Sequence, residues 1–172
     1  SPLNLYGATK LSMEKQFTAA NYYKGKKKTK FFCVRYGNVL GSRGSVLPHF
    51  IDQIRTKNLI TVTDPDMTRF SITMNESLNL IFDSLKFGNG CEVFIPKLRA
   101  YKLNDIIESL KELSSKNFKI KSIPIRDGEK MHEVLLNTYE LKYTIDSHNY
   151  YILFPPKIQI MKKLLKKYPK SK

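Results

Sequence analysis

Cysteine is scarce in this sequence of 172 residues. Only Cys33 and Cys91 occur, and neither forms a CxxC pair or stands at a Cys/His spacing typical of zinc sites. The sequence therefore predicts neither a disulfide framework nor a metal site. Because such sparse, unpaired cysteines are typical of reducing compartments, the composition favours a cytoplasmic protein.

Long apolar runs are also missing. No run reaches the roughly 18 to 20 residues that span a bilayer, and residues 1–10 lack the basic start and the apolar middle of a signal peptide. We therefore expect no membrane contact by this segment. Apolar residues make up 41% of the chain and charged residues 26%, which is typical of a globular domain with its own core.

Acidic residues are few beside the basic ones, which gives a formal net charge of +15. Much of the excess lies in two stretches, with five lysines in residues 24–30 and seven lysines, without an acidic residue, in residues 157–172. Such a charge can mark a nucleic-acid partner, but neither a binding motif nor aromatics for stacking accompany these lysines. We predict solvated surfaces and no nucleic acid. A basic nucleic-acid-binding module stays the alternative from another functional class.

A glycine-rich phosphate loop is a further absence, because none follows any predicted strand. Helices and strands nevertheless alternate, which indicates an α/β chain. The patterns predict helices over residues 5–23, 46–55, 78–85 and 103–113, from about residue 130, and over 158–168, with Asn75 as the N-cap of the third. They predict strands over residues 29–41, 59–63, 70–73, 91–96, 118–125 and 150–154. We expect the nucleotide-binding turn to lie outside this chain, which we interpret as a fragment.

Tyr6 and Lys10 are the most suggestive chemical pair. They lie four residues apart in YGATK, so that a helix places both side chains on one face, one turn apart. A phenol is a poor base at neutral pH, but a neighbouring ammonium favours the phenolate form. The spacing alone is weak, because an ordinary surface pair gives the same pattern.

The surrounding motifs change that balance. PLNLYGATKLSMEKQF and VRYGNVLGSRGSVLPHF resemble the catalytic helix and the next strand of extended short-chain dehydrogenases/reductases. TDPDMTRFSIT, EVFIPK, IPIRDGEKMHEVLL and the terminal YYILFP are similar, in order and spacing, to the inverting UDP-N-acetylglucosamine 4,6-dehydratases. The resemblance covers the chain to about Pro156.

The resemblance implies the C-terminal part of a Rossmann-like fold with a small substrate-binding subdomain. Residues 1–58 would supply the catalytic helix and the last parallel strands. Residues 59–172 would form mainly the substrate-binding subdomain, with strand 91–96 returning to the main sheet.

The activity that the resemblance implies is an NADP-dependent cycle. The C4 hydroxyl of UDP-N-acetylglucosamine is oxidised, water is lost across C5 and C6, and hydride returns to C6. The product would be a UDP-4-keto-6-deoxy sugar for surface polysaccharide or pseudaminic-acid synthesis. In the family, the elimination residues precede the tyrosine by a few positions, outside this chain, so inversion at C5 is implied by the family signature.

The resemblance also gives roles to the residues near the cofactor. Tyr6 would be the base at the C4 hydroxyl. Lys10 would favour its phenolate form and hold the nicotinamide ribose, and Val39 would complete the cofactor contacts. At the end of the strand, Asn38 would bind the diphosphate or the sugar, although a turn former is its ordinary alternative.

The remaining matched residues have the chemistry needed to hold a UDP-sugar. Arg69 and Arg126 are candidate clamps because guanidinium groups donate paired hydrogen bonds to phosphate oxygens, and Glu129 can accept from a ribose hydroxyl. Thr63 and Met67 would line the uridine pocket. The ordinary alternatives are surface ion pairs for the arginines and core packing for Met67.

The GSRGSV loop is a fair anion site, because backbone N–H groups ahead of a helix attract negative charge. Ser45 and Val46 are the candidates there. We set His132 aside as a general acid and expect it to cap or pack the short helix that presents Glu129.

A nucleotide-sugar 4-epimerase is the second enzyme reading, because it shares the Tyr-Lys spacing and oxidation at C4. The motifs MTRF and RDGEKMHE argue against it.

We expect the intact protein to form a homo-oligomer. Relatives of the short form and of the long form with upstream membrane helices share this part of the chain, so both forms stay open.

Overall fold

The structure is a computed structural model that describes residues 2–115, 117–156 and 168. Its residues form two compact units, which interleave along the chain. The first unit comprises residues 2–36, 75–97, 134–156 and 168, and the second comprises residues 37–74, 98–115 and 117–133.

Helices and strands alternate along the described residues, as the sequence predicts for an α/β chain. The elements are α1 (Leu5–Tyr23), β1 (Cys33–Val34), β2 (Asn38–Val39), α2 (Val46–Lys57), β3 (Leu59–Val62), β4 (Thr68–Ile72), α3 (Met74–Phe87), β5 (Val93–Pro96), β6 (Ala100–Lys102), α4 (Leu103–Leu113), β7 (Lys119–Ser122), α5 (Thr138–Leu141), β8 (Thr144–Asp146) and β9 (Tyr150–Leu153). No helix in this part of the chain combines the length and the apolarity needed to cross a bilayer.

The first unit is built on a four-stranded sheet with the strand order β1-β5-β9-β8. β1 and β5 run parallel, with Val34 opposite Phe94, whereas β9 is antiparallel to both of its neighbours. Every residue of β5 is buried, as expected of an interior strand. The core beside it consists of Leu80, Phe94, Ile145, Ile152, Phe154 and Tyr168.

The second unit has two small sheets, with the strand orders β2-β4-β6 and β3-β7. α4 buries Leu103, Ile107 and Leu110, which form one stripe at helical spacing. This stripe meets the buried side of α2 and the inner face of β3. The core so formed consists of Phe50, Ile54, Ile60, Val62, Met67, Leu103, Ile107 and Leu110.

The single strand predicted over residues 29–41 is two strands in the structure. β1 pairs with β5 in the first unit, and β2 pairs with β4 in the second, with Asn38 opposite Ser71. Gly37 lies between them against the backbone of Phe70, where a Cβ would stand 2.1 Å from the carbonyl oxygen. The chain changes sheets at this glycine. Hydrophobic periodicity does not predict such a change, because the residues on both sides of Gly37 have the pattern of one continuous strand.

The prediction of a short helix from about Lys130 is wrong. His132 instead forms a parallel bridge with Thr68, and its Nδ1 lies 2.9 Å from Thr68 Oγ1. The short helix is α5, which begins after its N-cap Asn137. His132 therefore neither caps nor packs a helix that presents Glu129.

Smaller corrections concern element ends. Asn75 is not an N-cap, because α3 already begins at Met74. α2 continues to Lys57, where Asn58 takes the left-handed conformation that commonly ends a helix. β6 and β8 were not predicted, and the predicted last helix lies outside the described residues except for Tyr168.

Candidate functional site

α1 presents Tyr6 and Lys10 on one exposed face. The N-cap Asn4 accepts a hydrogen bond from the Gly7 amide at 2.8 Å, so the helix begins at Leu5 and Tyr6 lies in its first turn. Lys10 Nζ lies 5.4 Å from the centre of the Tyr6 ring, and Tyr6 is 72% exposed. The pair belongs to the first unit.

Four predicted substrate residues meet in the second unit around the carboxylate of Glu129. Thr63 Oγ1 donates to Glu129 Oε1 at 3.3 Å and lies 3.5 Å from Met67 Sδ. Arg69 Nη2 lies 4.0 Å from the same carboxylate oxygen and 3.4 Å from Met67 Sδ. Met67 also belongs to the apolar core of the second unit, so the same side chain packs in the core and contacts Thr63 and Arg69 through its sulfur. We call Thr63, Met67, Arg69 and Glu129 the glutamate cluster.

A tight turn joins Arg126 to the glutamate cluster. The Glu129 amide donates to Arg126 O at 3.0 Å, and the Arg126 amide donates to Glu129 Oε2 at 3.2 Å. Gly128, with a φ of 75°, closes the turn. The Arg126 side chain is exposed, and its guanidinium forms no ion pair within the described part of the chain. Its N–H groups are therefore available to an anion.

The loop that carries Thr63 and Met67 is held by charged side chains. The Asp66 amide donates to Asp64 Oδ1 at 2.8 Å, and Lys102 Nζ donates to Asp66 Oδ1 at 2.8 Å. The Lys102 bond lowers the pKa of the Asp66 carboxyl, and the same bond raises the pKa of Lys102. The loop is thereby tied to the end of β6.

Ser45 is the N-cap residue of α2, yet its side chain makes no capping hydrogen bond. Its Oγ is buried and has no hydrogen-bond partner among the residues that the structure describes. An unpaired buried hydroxyl costs about 1–3 kcal/mol, so this oxygen is a candidate ligand group beside the first amides of α2. Val46 begins the helix and packs against the core of the second unit.

Asn38 and Val39 form β2, where Asn38 is exposed and Val39 is half-buried. Within the described residues, no hydrogen bond or ion pair joins either of them, Ser45 or Val46 to the glutamate cluster. In the second unit, the predicted substrate residues therefore include one group in mutual contact, the glutamate cluster. Asn38, Ser45 and Val46 stand apart from that cluster.

Sequence reasoning missed two polar residues that the sheet places beside predicted ones. Tyr101 lies opposite Arg69 in the pairing of β6 with β4, and its hydroxyl is 2.6 Å from Ser71 Oγ. Ser71 in turn lies opposite Asn38. The signal was weak because β6 has three residues and its register with β4 follows from no local pattern.

The residues of the second unit suit an anionic ligand, because Arg69 and Arg126 can donate to phosphate oxygens and Glu129 can accept from a hydroxyl. In the first unit, Tyr6 beside Lys10 can exchange a proton. Within residues 2–115, 117–156 and 168, no group of three or more His, Cys, Asp or Glu residues could hold a metal ion.

Curated relatives of known name match most of the chain. It is 40% identical to the UDP-N-acetylglucosamine 4,6-dehydratase (inverting) of Campylobacter jejuni over 156 residues, which is 90% of this chain and 46% of that protein. It is 36% identical to the UDP-glucose 4-epimerase of Rickettsia bellii over 150 residues, which is 87% of this chain and 44% of that one. The chain thus spans about half the length of these relatives.

Solved structures show a similar fold. Pen from Bacillus thuringiensis is 43% identical and superposes with a TM-score of 0.87, over 91% of this chain and 49% of that one. The UDP-glucose 4-epimerase of Thermus thermophilus, solved with NAD, is 19% identical with a TM-score of 0.66, over 78% and 46% of the two chains. The second likeness speaks for the fold alone, and it confirms the predicted Rossmann-like α/β fold. The family model described as polysaccharide biosynthesis protein matches residues 1–155, and the chain belongs to that family.

Proposed function

We propose that this chain is the C-terminal part of an NADP-dependent UDP-N-acetylglucosamine 4,6-dehydratase that inverts C5. Its product is a UDP-4-keto-6-deoxy sugar for surface polysaccharide or pseudaminic-acid synthesis. The observation that carries the proposal is the glutamate cluster, in which residues 63, 67, 69 and 129 make direct contacts. The 40% identity to the Campylobacter jejuni enzyme supports the same reaction.

The substrate lies along the second unit in this proposal. Arg69 and Arg126 donate to the diphosphate, and Glu129 accepts from a ribose hydroxyl. Thr63 and Met67 line the uridine pocket. Asn38 contacts the diphosphate or the sugar, whereas Ser45 and Val46 hold a phosphate at the start of α2. The unpaired Ser45 hydroxyl and the exposed Arg126 guanidinium are the free groups that support these assignments.

The catalytic pair lies on α1. Tyr6 takes the proton of the C4 hydroxyl, and Lys10 favours the phenolate and donates to the nicotinamide ribose. When bound, NADP supplies the hydride acceptor and donor of the cycle, and Val39 contacts it. The residues fit this group because both side chains are exposed on one face and Lys10 makes no ion pair with a described residue.

The proposal includes the setting of the whole protein. The nicotinamide cofactor is NADP in place of NAD, the compartment is the cytoplasm, and the intact protein is a homo-oligomer. Residues 1–58 supply the catalytic helix and the last parallel strands of the Rossmann-like domain, and residues 59–172 form mainly the substrate-binding subdomain, with strand 91–96 returning to the main sheet. This segment contacts neither membrane nor nucleic acid.

A nucleotide-sugar 4-epimerase is the second candidate, and the 36% identity to the Rickettsia bellii protein favours it. The product separates the two reactions. A dehydratase releases a 4-keto-6-deoxy sugar, whereas an epimerase interconverts two UDP-sugars that retain their C6 hydroxyl.

The test is turnover of UDP-N-acetylglucosamine with NADP by the full-length protein, with the configuration at C5 of the product read by NMR. Tyr6→Phe should lower kcat at least about 10²-fold, because a positioned acid or base contributes that much, while UDP binding stays intact. Tyr23→Phe is the matched control, since Tyr23 is an 86% exposed tyrosine at the other end of α1. An active Tyr6→Phe variant would refute the assigned base, and epimer interconversion would favour the second candidate.

A further inference from the structure

Arg35 follows β1 and gathers two carboxylates in the first unit. Its Nε and Nη2 donate to the two oxygens of Glu14 at 2.9 and 2.7 Å. Its Nη1 and Nη2 each donate to one oxygen of Glu140 at 2.9 Å, and Nη1 also donates to the carbonyl oxygen of Leu135 at 2.7 Å. All five N–H donors of the guanidinium are therefore used.

This cluster is largely shielded from water. The side chains of Arg35, Glu14 and Glu140 are 20%, 13% and 10% exposed. Besides these groups, Lys15 reaches the two carboxylates at 3.4 and 4.0 Å, and the thiol of Cys33, on β1, lies 3.8 Å from the backbone carbonyl oxygen of Glu14. Paired, doubly hydrogen-bonded charges of this kind are held in one geometry, whereas isolated surface ion pairs exchange partners.

Arg35 and Glu140 keep their charges near neutral pH. Burial alone would lower the pKa of Arg35, but its hydrogen bonds with Glu140 and Glu14 outweigh burial and raise it. Burial would raise the pKa of Glu140, yet the bonds from Arg35 and from the Asn137 amide lower it. Both partners therefore stay ionised near neutral pH.

Glu14 connects this cluster to the catalytic pair. It lies on α1 one turn beyond Lys10 and two turns beyond Tyr6, so the three side chains share one side of the helix. None of the described side chains of α1 is buried, so no apolar stripe sets the rotation of the helix within the first unit. The other described contacts at this turn of α1 are those of the Glu14 carbonyl with Cys33 and of Lys15 with Glu140, and farther along the helix the Phe17 ring packs against Phe31.

We propose that Arg35 is a positioning residue that sets the rotation of α1 through Glu14, with Glu140 as the fixed counterpart, and thereby directs Tyr6 and Lys10 at the substrate. The inference rests on the proposed function of that pair. A helix transmits a rotation at one turn to the next turns, because its backbone hydrogen bonds make it stiff. A misdirected pair would bind substrate normally and react slowly.

The experiment compares Arg35→Lys with Arg55→Lys in the full-length protein. Lysine keeps the charge but cannot form two paired bonds with two carboxylates. Arg55 is an exposed arginine of α2 and serves as the matched control. In Arg35→Lys we expect kcat to fall about 10²-fold, as displacements near 1 Å commonly cause, with KM for UDP-N-acetylglucosamine changed less than about twofold. The acid limb of the rate profile should move to higher pH, because Lys10 supports the Tyr6 phenolate less well.

Hydrogen exchange provides a readout that does not depend on activity. Amides of residues 5–14 should exchange faster in Arg35→Lys, while those of β5 keep their wild-type rates. Unchanged kcat, or a lower kcat with an unshifted pH profile and faster exchange throughout the first unit, would overturn the proposal. If Arg35→Lys does not fold, Glu140→Gln must show the same shift in the pH profile and the same exchange pattern, and its failure to do so also overturns the proposal. A wild-type protein without dehydratase activity refutes the proposed function, while the exchange experiment still tests whether Arg35 holds α1.

Discussion

Replacing Gly37 with alanine would disturb the passage of the chain from β1 to β2. A Cβ there would lie 2.1 Å from the carbonyl oxygen of Phe70, whereas even close carbon–oxygen contacts are about 3.3 Å. β2 and β4 would have to separate by about 1 Å. That movement breaks or weakens the hydrogen bond of 2.9 Å from the Leu40 amide to Ile72 O, and it displaces Asn38.

The free-energy cost follows from these two effects. Overpacking costs about 1–3 kcal/mol, and a lost backbone hydrogen bond adds about 0.5–1.5 kcal/mol. The stability of the second unit should therefore fall by about 2–4 kcal/mol. At about 2–4 °C for each kcal/mol, which is typical of domains of roughly 150–250 residues, the apparent melting temperature should fall about 4–16 °C.

Gly25→Ala is the matched control. Gly25 has a φ of 60° and nothing within 4 Å of an added Cβ, so alanine there costs backbone strain of about 1–2 kcal/mol without a clash. Gly37 has no positive φ, so its cost is steric. Differential scanning fluorimetry of both full-length variants makes the comparison. A Gly37→Ala variant as stable as wild type would refute the close approach of β2 and β4.

Three further predictions concern single side chains. Arg126→Ala should raise KM for UDP-N-acetylglucosamine at least about tenfold with little effect on melting, because an exposed guanidinium loses charged hydrogen bonds to ligand alone. Cys33 should react with iodoacetamide at pH 8 about 10²-fold more slowly than a free cysteine, because burial and then Glu14 raise its pKa to about 11. Tyr150 should ionise near pH 12, because burial and then Asp83 raise its pKa to about 12. Since the unfolded tyrosine has a pKa near about 10, stability should fall between these values as the pH rises.

Each of these has its own control. Arg55→Ala removes an exposed arginine outside the proposed site and should leave KM unchanged; equal effects of both arginine variants would count against the phosphate role. The alkylation is followed in a Cys91→Ser background, and rapid labelling there would contradict the raised pKa of the half-buried Cys33 thiol. Absorbance at 295 nm in wild type and Tyr150→Phe isolates one tyrosine, and a step near pH 10 in the difference would contradict the Asp83 contact.

Helices were predictable where one chain segment contains all of the information. α1 and α4 have the predicted bounds because capping and apolar spacing are local, and the shared face of Tyr6 and Lys10 follows from helix geometry alone. The short strands were not predictable from local sequence. β6 and β8 have three residues each, and their pairing depends on strands far away in the sequence. The bridge of Thr68 with His132 overrode the predicted helix for the same reason.

The candidate site divides in the same way. The motif resemblance narrowed the class of enzyme, and among the matched residues the chemistry of Arg69 and Glu129 then made them candidate ligands of a nucleotide diphosphate sugar. The contact of Thr63 with Glu129 joins residues 66 positions apart, and no periodicity specifies it. Tyr101 was missed because its place beside Arg69 depends on strand register.

The interleaving of the two units has a consequence for engineering substrate choice. The backbone passes from one unit to the other at residues 36–37, 74–75, 97–98 and 133–134. A graft of the second unit from a relative would therefore need four splice points and two inserted segments, and neither unit can be excised as one continuous piece. The first junction falls at Gly37, so a successful chimera must keep glycine there whatever else it exchanges.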